Sequence, residues 1–313
     1  MRDSRKKVII KDSTLREGLD VPGVNFSPEQ RLKIARLLDK ANVPEIEVVA
    51  PSRVLKDLEF VKRLKEEGLR LRTLGLIYSY NPNCFEEIEE AGRHLDRFDL
   101  LMPVSTRRKP FDRYAKIKLL MDALAYSLKC KSDVGVGFPH STQAELEFLL
   151  EIGKEAVRGG ANRVIIYDTN GSSDPFAVYE LIRQLKNDLG VSIFFHGHND
   201  LGLAAANSLA AVCAGADGLE VTVNGLGDRA GNASLEQVVL CLHLKGFDTG
   251  VMLQDLRMLS QTAEEESGVR VSKLAPVVGE YIFSHRSPSH LENPGLFEAF
   301  DPMIVDSYRE LSE

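Results

Sequence analysis

Apolar positions along this chain recur with two different periods, and segments with one period alternate regularly with segments that have the other. Short runs rich in β-branched residues, typical of buried strands, alternate with longer segments whose apolar residues recur every three or four positions, typical of amphipathic helices. The predicted strands are Val8–Lys11, Glu45–Val49, Arg70–Ile77, Asp99–Met102, Val134–Phe138, Arg163–Tyr167, Ser192–Phe195 and Gly218–Val223. Eight strand–helix units within about 245 residues predict a (β/α)8 TIM barrel, with a doubly wound open sheet as the alternative.

The segments between the strands predict one helix each. These helices are Glu29–Ala41, Val54–Glu67, Phe85–His94, Tyr114–Lys129, Gln143–Gly159, Pro175–Leu189, Leu203–Ala214 and Leu235–Leu244. Ser27-Pro28 and Asp174-Pro175 each offer a capping side chain followed by a proline at the first helical position.

The pattern changes after Gly246, and this change predicts a second, smaller unit. Residues 1–246 are expected to form the barrel. Residues 247–313 are expected to form a C-terminal appendage with one helix over Leu253–Ser267 and a histidine-bearing loop over Ser284–His290. The appendage is too small for a regulatory domain, and it is a candidate for contact with a second subunit.

Composition limits the classes of function. The formal charge of −7 and the pI near 5.6 disfavour nucleic acid as a partner, although a local basic pocket for a small anion remains compatible with them. The four cysteines are widely spaced, which predicts reduced, mostly buried thiols and a cytoplasmic location. We expect no signal peptide and no membrane span, because no apolar run is long enough.

The most informative motif is His196-Gly-His198, which follows the apolar run of the seventh predicted strand. Residues two apart on a strand point to the same side, so both imidazoles project together from the strand's C-terminal tip. Two nitrogen ligands leave a metal ion unsatisfied, so at least one carboxylate is expected from elsewhere. The segment Lys11–Gly18, which follows the first predicted strand, supplies a candidate.

Closure of a barrel makes strands one, seven and eight neighbours, and chemistry in such barrels takes place at the C-terminal ends of the strands. Glu17, His196, His198 and Asn232 are therefore predicted to converge around one ion although they are remote in sequence.

Each of these signals has a structural alternative when it is taken alone. Glu17 and Arg16 are compatible with a solvated ion pair, Asp168 with a helix cap, and Gly225–Gly231 with a simple turn. Their joint occurrence at the tips of strands one, six, seven and eight favours a functional site.

Three motifs together resemble a known family. They are Asp12-Ser-Thr-Leu-Arg-Glu-Gly18, His196-Gly-His-Asn-Asp200 and Gly225-Leu-Gly-Asp-Arg-Ala-Gly-Asn232. The combination is similar to that of the DRE-TIM metallolyases, which are metal-dependent TIM-barrel lyases and synthases, and most similar to the homocitrate, citramalate and isopropylmalate synthases among them. The resemblance covers roughly residues 7–245 and extends weakly into Phe283–His290.

The resemblance implies an acyltransferase that condenses acetyl-CoA, or a similar acyl-CoA, with a 2-oxo acid. It implies that Glu17, His196 and His198 bind a divalent cation (Zn, Mn, Mg or Co), with Asn232 in or near the shell, and that neither NAD nor pyridoxal phosphate takes part. It also implies a homodimer, because in such enzymes the histidine that corresponds to His290 often serves a neighbouring subunit's site in proton transfer.

The other roles that the resemblance implies concern the substrate. Arg16 is expected to stabilise negative oxygen beside the 2-oxo acid, and Asp168 is expected to be part of the catalytic set. The residues expected to contact substrate are Arg16, Asp20, Thr169, Asn224 and Arg229.

This chain departs from the family pattern at several positions, which leaves the 2-oxo acid open. Leu19-Asp20 replaces Glu-Gln, Pro288 replaces a glycine and Phe297 replaces a tyrosine. After strand five His140 stands in place of an acidic pair, either as a substrate contact or as a surface histidine. The alternative activity is metal-dependent cleavage, as in hydroxymethylglutaryl-CoA lyase or a pyruvate aldolase. A barrel retained only as a binding protein is the non-enzymatic alternative.

Overall fold

A computed structural model describes residues 5–107 and 111–311, and it confirms the predicted barrel. Eight parallel strands close on themselves in the order β1 to β8, with β1 paired to both β2 and β8. The barrel strands are β1 Ile9–Asp12, β2 Glu45–Val49, β3 Arg72–Tyr78, β4 Arg97–Leu101, β5 Val134–Phe138, β6 Arg163–Asp168, β7 Ser192–Gly197 and β8 Gly218–Val221. An open sheet is therefore excluded.

Helices surround the barrel, and all those predicted from periodicity are present. The helices are α1 Thr14–Glu17, α2 Pro28–Lys40, α3 Val54–Glu66, α4 Cys84–His94, α5 Arg113–Cys130, α6 Leu146–Arg158, α7 Pro175–Leu189, α8 Ala204–Cys213, α9 Leu235–Leu244, α10 Leu256–Ser267 and α11 Pro288–Glu292. The two predicted caps are formed. The Ser27 side chain accepts a hydrogen bond from the Gln30 backbone N–H, and Asp174 accepts from Phe176 and Ala177.

The C-terminal appendage begins with a helix that packs directly on the barrel. Leu256 and Leu259 of α10 are fully buried, and the Asn224 side-chain amide donates to the backbone carbonyl of Ser260 at 2.8 Å. Beyond α10, two short strands, β9 Ser284–His285 and β10 Glu310–Leu311, pair in parallel.

The barrel interior contains buried ion pairs at two levels. At the N-terminal end of the interior, Arg163 pairs with Glu45 at 2.6 and 3.0 Å and its guanidinium lies 3.7 Å from the centre of the Phe194 ring. Above them, the fully buried Lys11 ammonium contacts three carboxylates, those of Glu47, Asp99 and Glu220.

The described residues include no helix long and apolar enough to cross a membrane. The four cysteines have free thiols, but the expectation that most of them are buried is wrong, because only Cys84 is buried and Cys213 is exposed on the outer helix α8.

Candidate metal centre and active site

Three side chains meet at the C-terminal end of the barrel where β1, β7 and β8 adjoin. Glu17 belongs to α1, the single helical turn that follows β1, His196 lies in β7, and His198 lies just beyond it. One ligand atom from each of the three lies within 4.8 Å of the other two. The two Nε2 atoms are 3.2 Å apart, and Glu17 Oε1 is 3.5 Å from His196 Nε2. The predicted convergence of a carboxylate and two imidazoles is thus present in the geometry.

Burial keeps both imidazoles neutral. It lowers the pKa of His196 to about 4, although the Glu17 carboxylate opposes the shift. Burial, together with the neighbouring His196, also lowers the pKa of His198 to about 4. Neutral imidazole is the form that binds metal, so the site is in the right protonation state at neutral pH.

Asn232 is the fourth candidate ligand, and the loop after β8 places it. Its backbone N–H donates to Gly225 at 2.9 Å, and its side-chain Nδ2 lies 3.1 Å from His196 Nε2. Its Oδ1 is buried and has no hydrogen-bond partner among the described residues. A 180° rotation of the side-chain amide exchanges Oδ1 and Nδ2, so the oxygen can face the cluster. Two imidazole nitrogens and two oxygens form a donor set that suits a divalent cation.

A buried carboxylate on β8 orients the His196 ring. Glu220 Oε2 lies 3.0 Å from His196 Nδ1, the usual carboxylate partner of a metal-binding histidine. Burial raises the pKa of Glu220 to about 7 against the opposing ion pair with Lys11. The interaction with Glu220 fixes the His196 ring so that Nε2 faces Glu17 and His198.

Arg16 is the cation of the site. Its guanidinium forms ion pairs with Glu17 and with Glu47, the latter at 2.6 Å, and only 8 % of the residue is exposed. Burial alone would raise the pKa of Glu47, but the Arg16 guanidinium and the Lys11 ammonium outweigh it and hold the pKa below its ordinary value. A fixed positive charge therefore stands beside the candidate metal ligands.

The structure places the predicted catalytic residue Asp168 and the predicted substrate contacts Thr169 and Arg229 in contacts between loops. Asp168 is fully buried and accepts from the Thr142 hydroxyl at 2.8 Å and from two backbone N–H groups of the loop that follows β6. Thr169 Oγ1 accepts from the His140 backbone N–H at 2.8 Å. Arg229 pairs with Asp200 at 2.8 and 3.0 Å and donates to the Thr169 carbonyl at 2.7 Å. These contacts tie the loops after β5, β6, β7 and β8 to one another.

Two of the predicted residues lie outside the cluster of Glu17, His196 and His198. Asp20 is exposed at the end of a 3-10 turn. His290 contacts residues of its own segment: its Nδ1 is 3.3 Å from His285 Nδ1, and its ring stacks on Phe297 at 3.8 Å. Asn224, by contrast, lines a cavity of about 500 Å³ with Asn232, between the β8 loop and the segment that follows α10.

No sequence motif identifies the buried residues that surround the candidate metal ligands. These residues are Lys11, Glu47, Asp99, Tyr167 and Glu220. The available signal was charge at alternate positions of strands in a parallel barrel, because such strands normally carry apolar runs.

Fold and site together define a closed parallel barrel with a buried carboxylate–imidazole cluster at its C-terminal end, the class of the metal-dependent barrel enzymes. Residues 7–263 match the family described as HMGL-like, and the chain belongs to that family.

Curated relatives cover nearly the whole chain. Homocitrate synthase 1 of Nostoc sp. is 35% identical over 97% of this chain and 82% of its own length, and homocitrate synthase AksA of Methanopyrus kandleri is 35% identical over 99% and 79%. The 2-isopropylmalate synthase of Methanocaldococcus jannaschii is 34% identical over 97% of this chain but only 60% of its own length. Among solved structures, the Bacillus subtilis HMG-CoA lyase has a TM-score of 0.74 at 20% identity, covering 85% of this chain and 95% of that one, which supports the fold alone.

Proposed function

We propose that this protein is an acyltransferase that condenses acetyl-CoA, or a similar acyl-CoA, with a 2-oxo acid to give a 2-hydroxy dicarboxylic or tricarboxylic acid and free CoA. The observation that carries the proposal is the buried meeting of Glu17, His196 and His198 beside Arg16. The similarity to homocitrate and 2-isopropylmalate synthases over nearly the whole chain supports it.

Glu17, His196, His198 and Asn232 are the residues that would hold a divalent cation. Such a cation supplies Lewis acidity at the keto carbon of the 2-oxo acid. Zn, Mn, Mg and Co are all compatible with mixed imidazole and oxygen ligands. Glu220 keeps the His196 ring in the tautomer that leaves Nε2 free, because its carboxylate accepts the Nδ1 proton at 3.0 Å.

The Arg16 guanidinium stabilises the negative oxygen that develops on the former keto group. It is permanently charged, and two carboxylates hold it in place within the barrel, so little reorganisation accompanies the reaction. A base takes a proton from the methyl carbon of the acyl group, and that carbon then forms the new bond to the keto carbon. The electron pair of the carbonyl double bond moves to the keto oxygen, which takes up a proton to become the 2-hydroxyl group. Water then cleaves the thioester and releases the CoA thiol.

We further propose that His290 takes part in proton transfer at the site of a second subunit in a homodimer. This proposal is supported by the contacts of His290, which lie within the appendage rather than with Glu17 or His196 of the same chain. In this proposal residues 1–246 are the catalytic domain and residues 247–313 contact the neighbouring subunit. The four free thiols support a reducing, cytoplasmic location.

The test is an assay of thiol release. The metal-loaded protein is incubated with acetyl-CoA and a panel of 2-oxo acids, and free thiol is measured with a chromogenic disulfide. Thiol release that requires one of the 2-oxo acids is the expected result. Absence of thiol release with every acid, together with pyruvate formation from a hydroxy-oxo acid, would contradict condensation and favour an aldolase.

A further inference from the structure

One hydroxyl group in the barrel interior lacks a partner. Tyr167 projects inward from β6, and its register partner in β7 is His196. The residue is 6 % exposed, and its hydroxyl finds no hydrogen-bond partner among residues 5–107 and 111–311. A buried hydroxyl left unpaired costs stability, so such a group marks a place where a ligand atom is expected to pair with it.

The position of Tyr167 relates this hydroxyl to the candidate metal centre. Its ring centre is 4.8 Å from that of His196. The Arg16 guanidinium and the Glu47 and Glu220 carboxylates act on the hydroxyl electrostatically. On the far side, a Cβ atom built on Gly137 would lie 3.4 Å from the hydroxyl oxygen. Tyr167 thus reaches from the edge of the ligand cluster towards β5.

Apolar side chains line the barrel interior beside Tyr167. Tyr167 packs in one cluster with Leu76, Leu101 and Ile165, and Tyr78 lies against it. Leu101 and Tyr167 are 4 and 6 % exposed, whereas Ile165 below them is fully buried, so the first two border the opening of the barrel. A 2-oxo acid whose carboxylate and keto oxygens are held beside Glu17 and Arg16 directs its side chain towards this apolar wall.

We propose that Tyr167 determines which 2-oxo acid is accepted. Its ring limits the depth available to the acid's side chain, so the preferred substrate carries a short apolar chain, and its hydroxyl donates a hydrogen bond to the bound acid. A second carboxylate placed against Leu101 and Leu76 would lose its hydration and find at most the Tyr167 hydroxyl as a donor among the apolar side chains, which disfavours 2-oxo dicarboxylic acids. This inference rests on the proposed function, because it assigns the substrate class of the same site.

The experiment measures both binding and turnover. Calorimetric titrations of the full-length, metal-loaded protein use pyruvate, 2-oxobutanoate, 3-methyl-2-oxobutanoate and 2-oxoglutarate, and thiol release gives kcat/KM for each. We expect the wild type to bind the two short acids best. Tyr167→Phe keeps the ring and is expected to weaken binding of pyruvate about tenfold while its melting temperature stays equal or rises, because the unpaired hydroxyl is gone.

Smaller side chains at the same position test the role of ring size. Tyr167→Leu, and Tyr167→Ala if it folds, are expected to raise the affinity for 3-methyl-2-oxobutanoate relative to pyruvate by about tenfold or more. The matched control is Tyr126→Phe, which removes an exposed hydroxyl paired with Glu89 and is expected to change neither binding nor preference.

The outcomes separate this inference from the proposed function. Unchanged affinities in Tyr167→Phe together with an unchanged preference in Tyr167→Leu would overturn the inference while leaving the condensation intact, as would a wild type that prefers 2-oxoglutarate. Binding that responds to the Tyr167 variants without any thiol release would support the inference and overturn the condensation. If the metal-loaded wild type binds none of the four acids, both are overturned.

Discussion

His196 is held at both ring nitrogens, and this explains why it is the residue on which the candidate metal site depends. Glu220 contacts Nδ1 on the far side, while Nε2 faces Glu17, His198 and the Asn232 amide. His198 has no equivalent support, because its Nδ1 is buried without a partner among the described residues. The two histidines are therefore unequal in how firmly the protein fixes them.

Removal of either imidazole is expected to abolish stoichiometric metal binding. In His196→Ala and His198→Ala the remaining donors are too few for tight binding of a divalent cation, so metal content measured by mass spectrometry should fall to background and thiol release with it. His243→Ala is the control, since His243 is exposed on α9. Full metal content and activity in His196→Ala would contradict the assignment of the site.

Asp12 predicts a measurable dependence of stability on pH. Burial raises the pKa of Asp12 to about 7, although Thr14 donates two hydrogen bonds to the carboxylate. Between about pH 4 and pH 7 the folded protein keeps this proton and the unfolded chain releases it, so stability falls as the pH rises.

The Asp12→Asn variant isolates this contribution. The difference in unfolding free energy between Asp12→Asn and wild type should shift by about 4 kcal/mol in favour of the variant between pH 4 and pH 8. Urea unfolding of the metal-free proteins measures it. Hydrogen bonds lost in the variant are lost at every pH, so a difference that does not change with pH would show that Asp12 ionises normally.

At the scale of elements, the loop after β8 determines where Asn232 lies. Gly231 has φ +83°, and a Cβ atom there would lie 2.0 Å from the Gly225 carbonyl oxygen, which accepts the Asn232 backbone N–H. Gly227 is also confined, because a Cβ atom on it would overlap Asn232 Oδ1. The glycines of this loop are thus required for a close approach of backbone and side chain rather than for a turn alone.

Gly231→Ala is expected to destabilise the protein by several kcal/mol and to lower metal affinity. Gly202→Ala is a matched control, because Gly202 has φ +73° but nothing within 4 Å of the added carbon. Both variants bear the cost of a positive φ, about 1 kcal/mol, and only Gly231→Ala adds the clash. Thermal unfolding and metal titration compare them, and equal losses in the two would contradict the steric explanation.

Most elements could be predicted from the sequence, since strands and helices here have strong and different periods. The exceptions are local. The helix predicted from Gln143 begins at Leu146, because Ser141–Gln143 forms a 3-10 turn and Ala144 is extended. The helical turn Thr14–Glu17 was not predicted, because four residues are too few to show a period.

The candidate site was predictable to the extent that barrel closure determines it. Knowing that β1 and β8 are neighbours suffices to bring Glu17 near His196. The contacts of Lys11 with Asp99 and of Glu220 with His196 depend on strand register and side-chain direction, which one sequence does not encode in a visible pattern. The unpaired hydroxyl of Tyr167 is likewise invisible in the sequence, because it is apparent only when the residues around the side chain are known.

At the scale of the whole molecule, the appendage carries exposed apolar side chains next to the buried ones that anchor it. Leu296 and Tyr308 are 75 and 81 % exposed, and Phe297, on which His290 stacks, is half exposed. Exposed apolar groups in this number are typical of an interface, which supports contact with a second copy of the chain.

A subunit-mixing experiment tests whether His290 acts across that interface. His196→Ala and His290→Ala are each expected to be inactive alone, and light scattering should show a dimer for both. In a mixed dimer one site combines an intact His196 with an intact His290 from the other subunit, so about half of the wild-type activity should return. If His290 acts within its own chain, the mixed dimer stays inactive.

The barrel interior holds a charged cluster around Lys11 and an apolar cluster around Tyr167, and the difference between them has a consequence for how new specificities arise. Lys11 is the common partner of three buried carboxylates, so its replacement leaves uncompensated charge, and these residues are expected to change only in concert. Leu76, Leu101 and Tyr167 carry no charge that another residue has to compensate. Descendants of this barrel can therefore acquire different substrates one substitution at a time at these three positions, while the chemistry supported by the charged cluster is inherited unaltered.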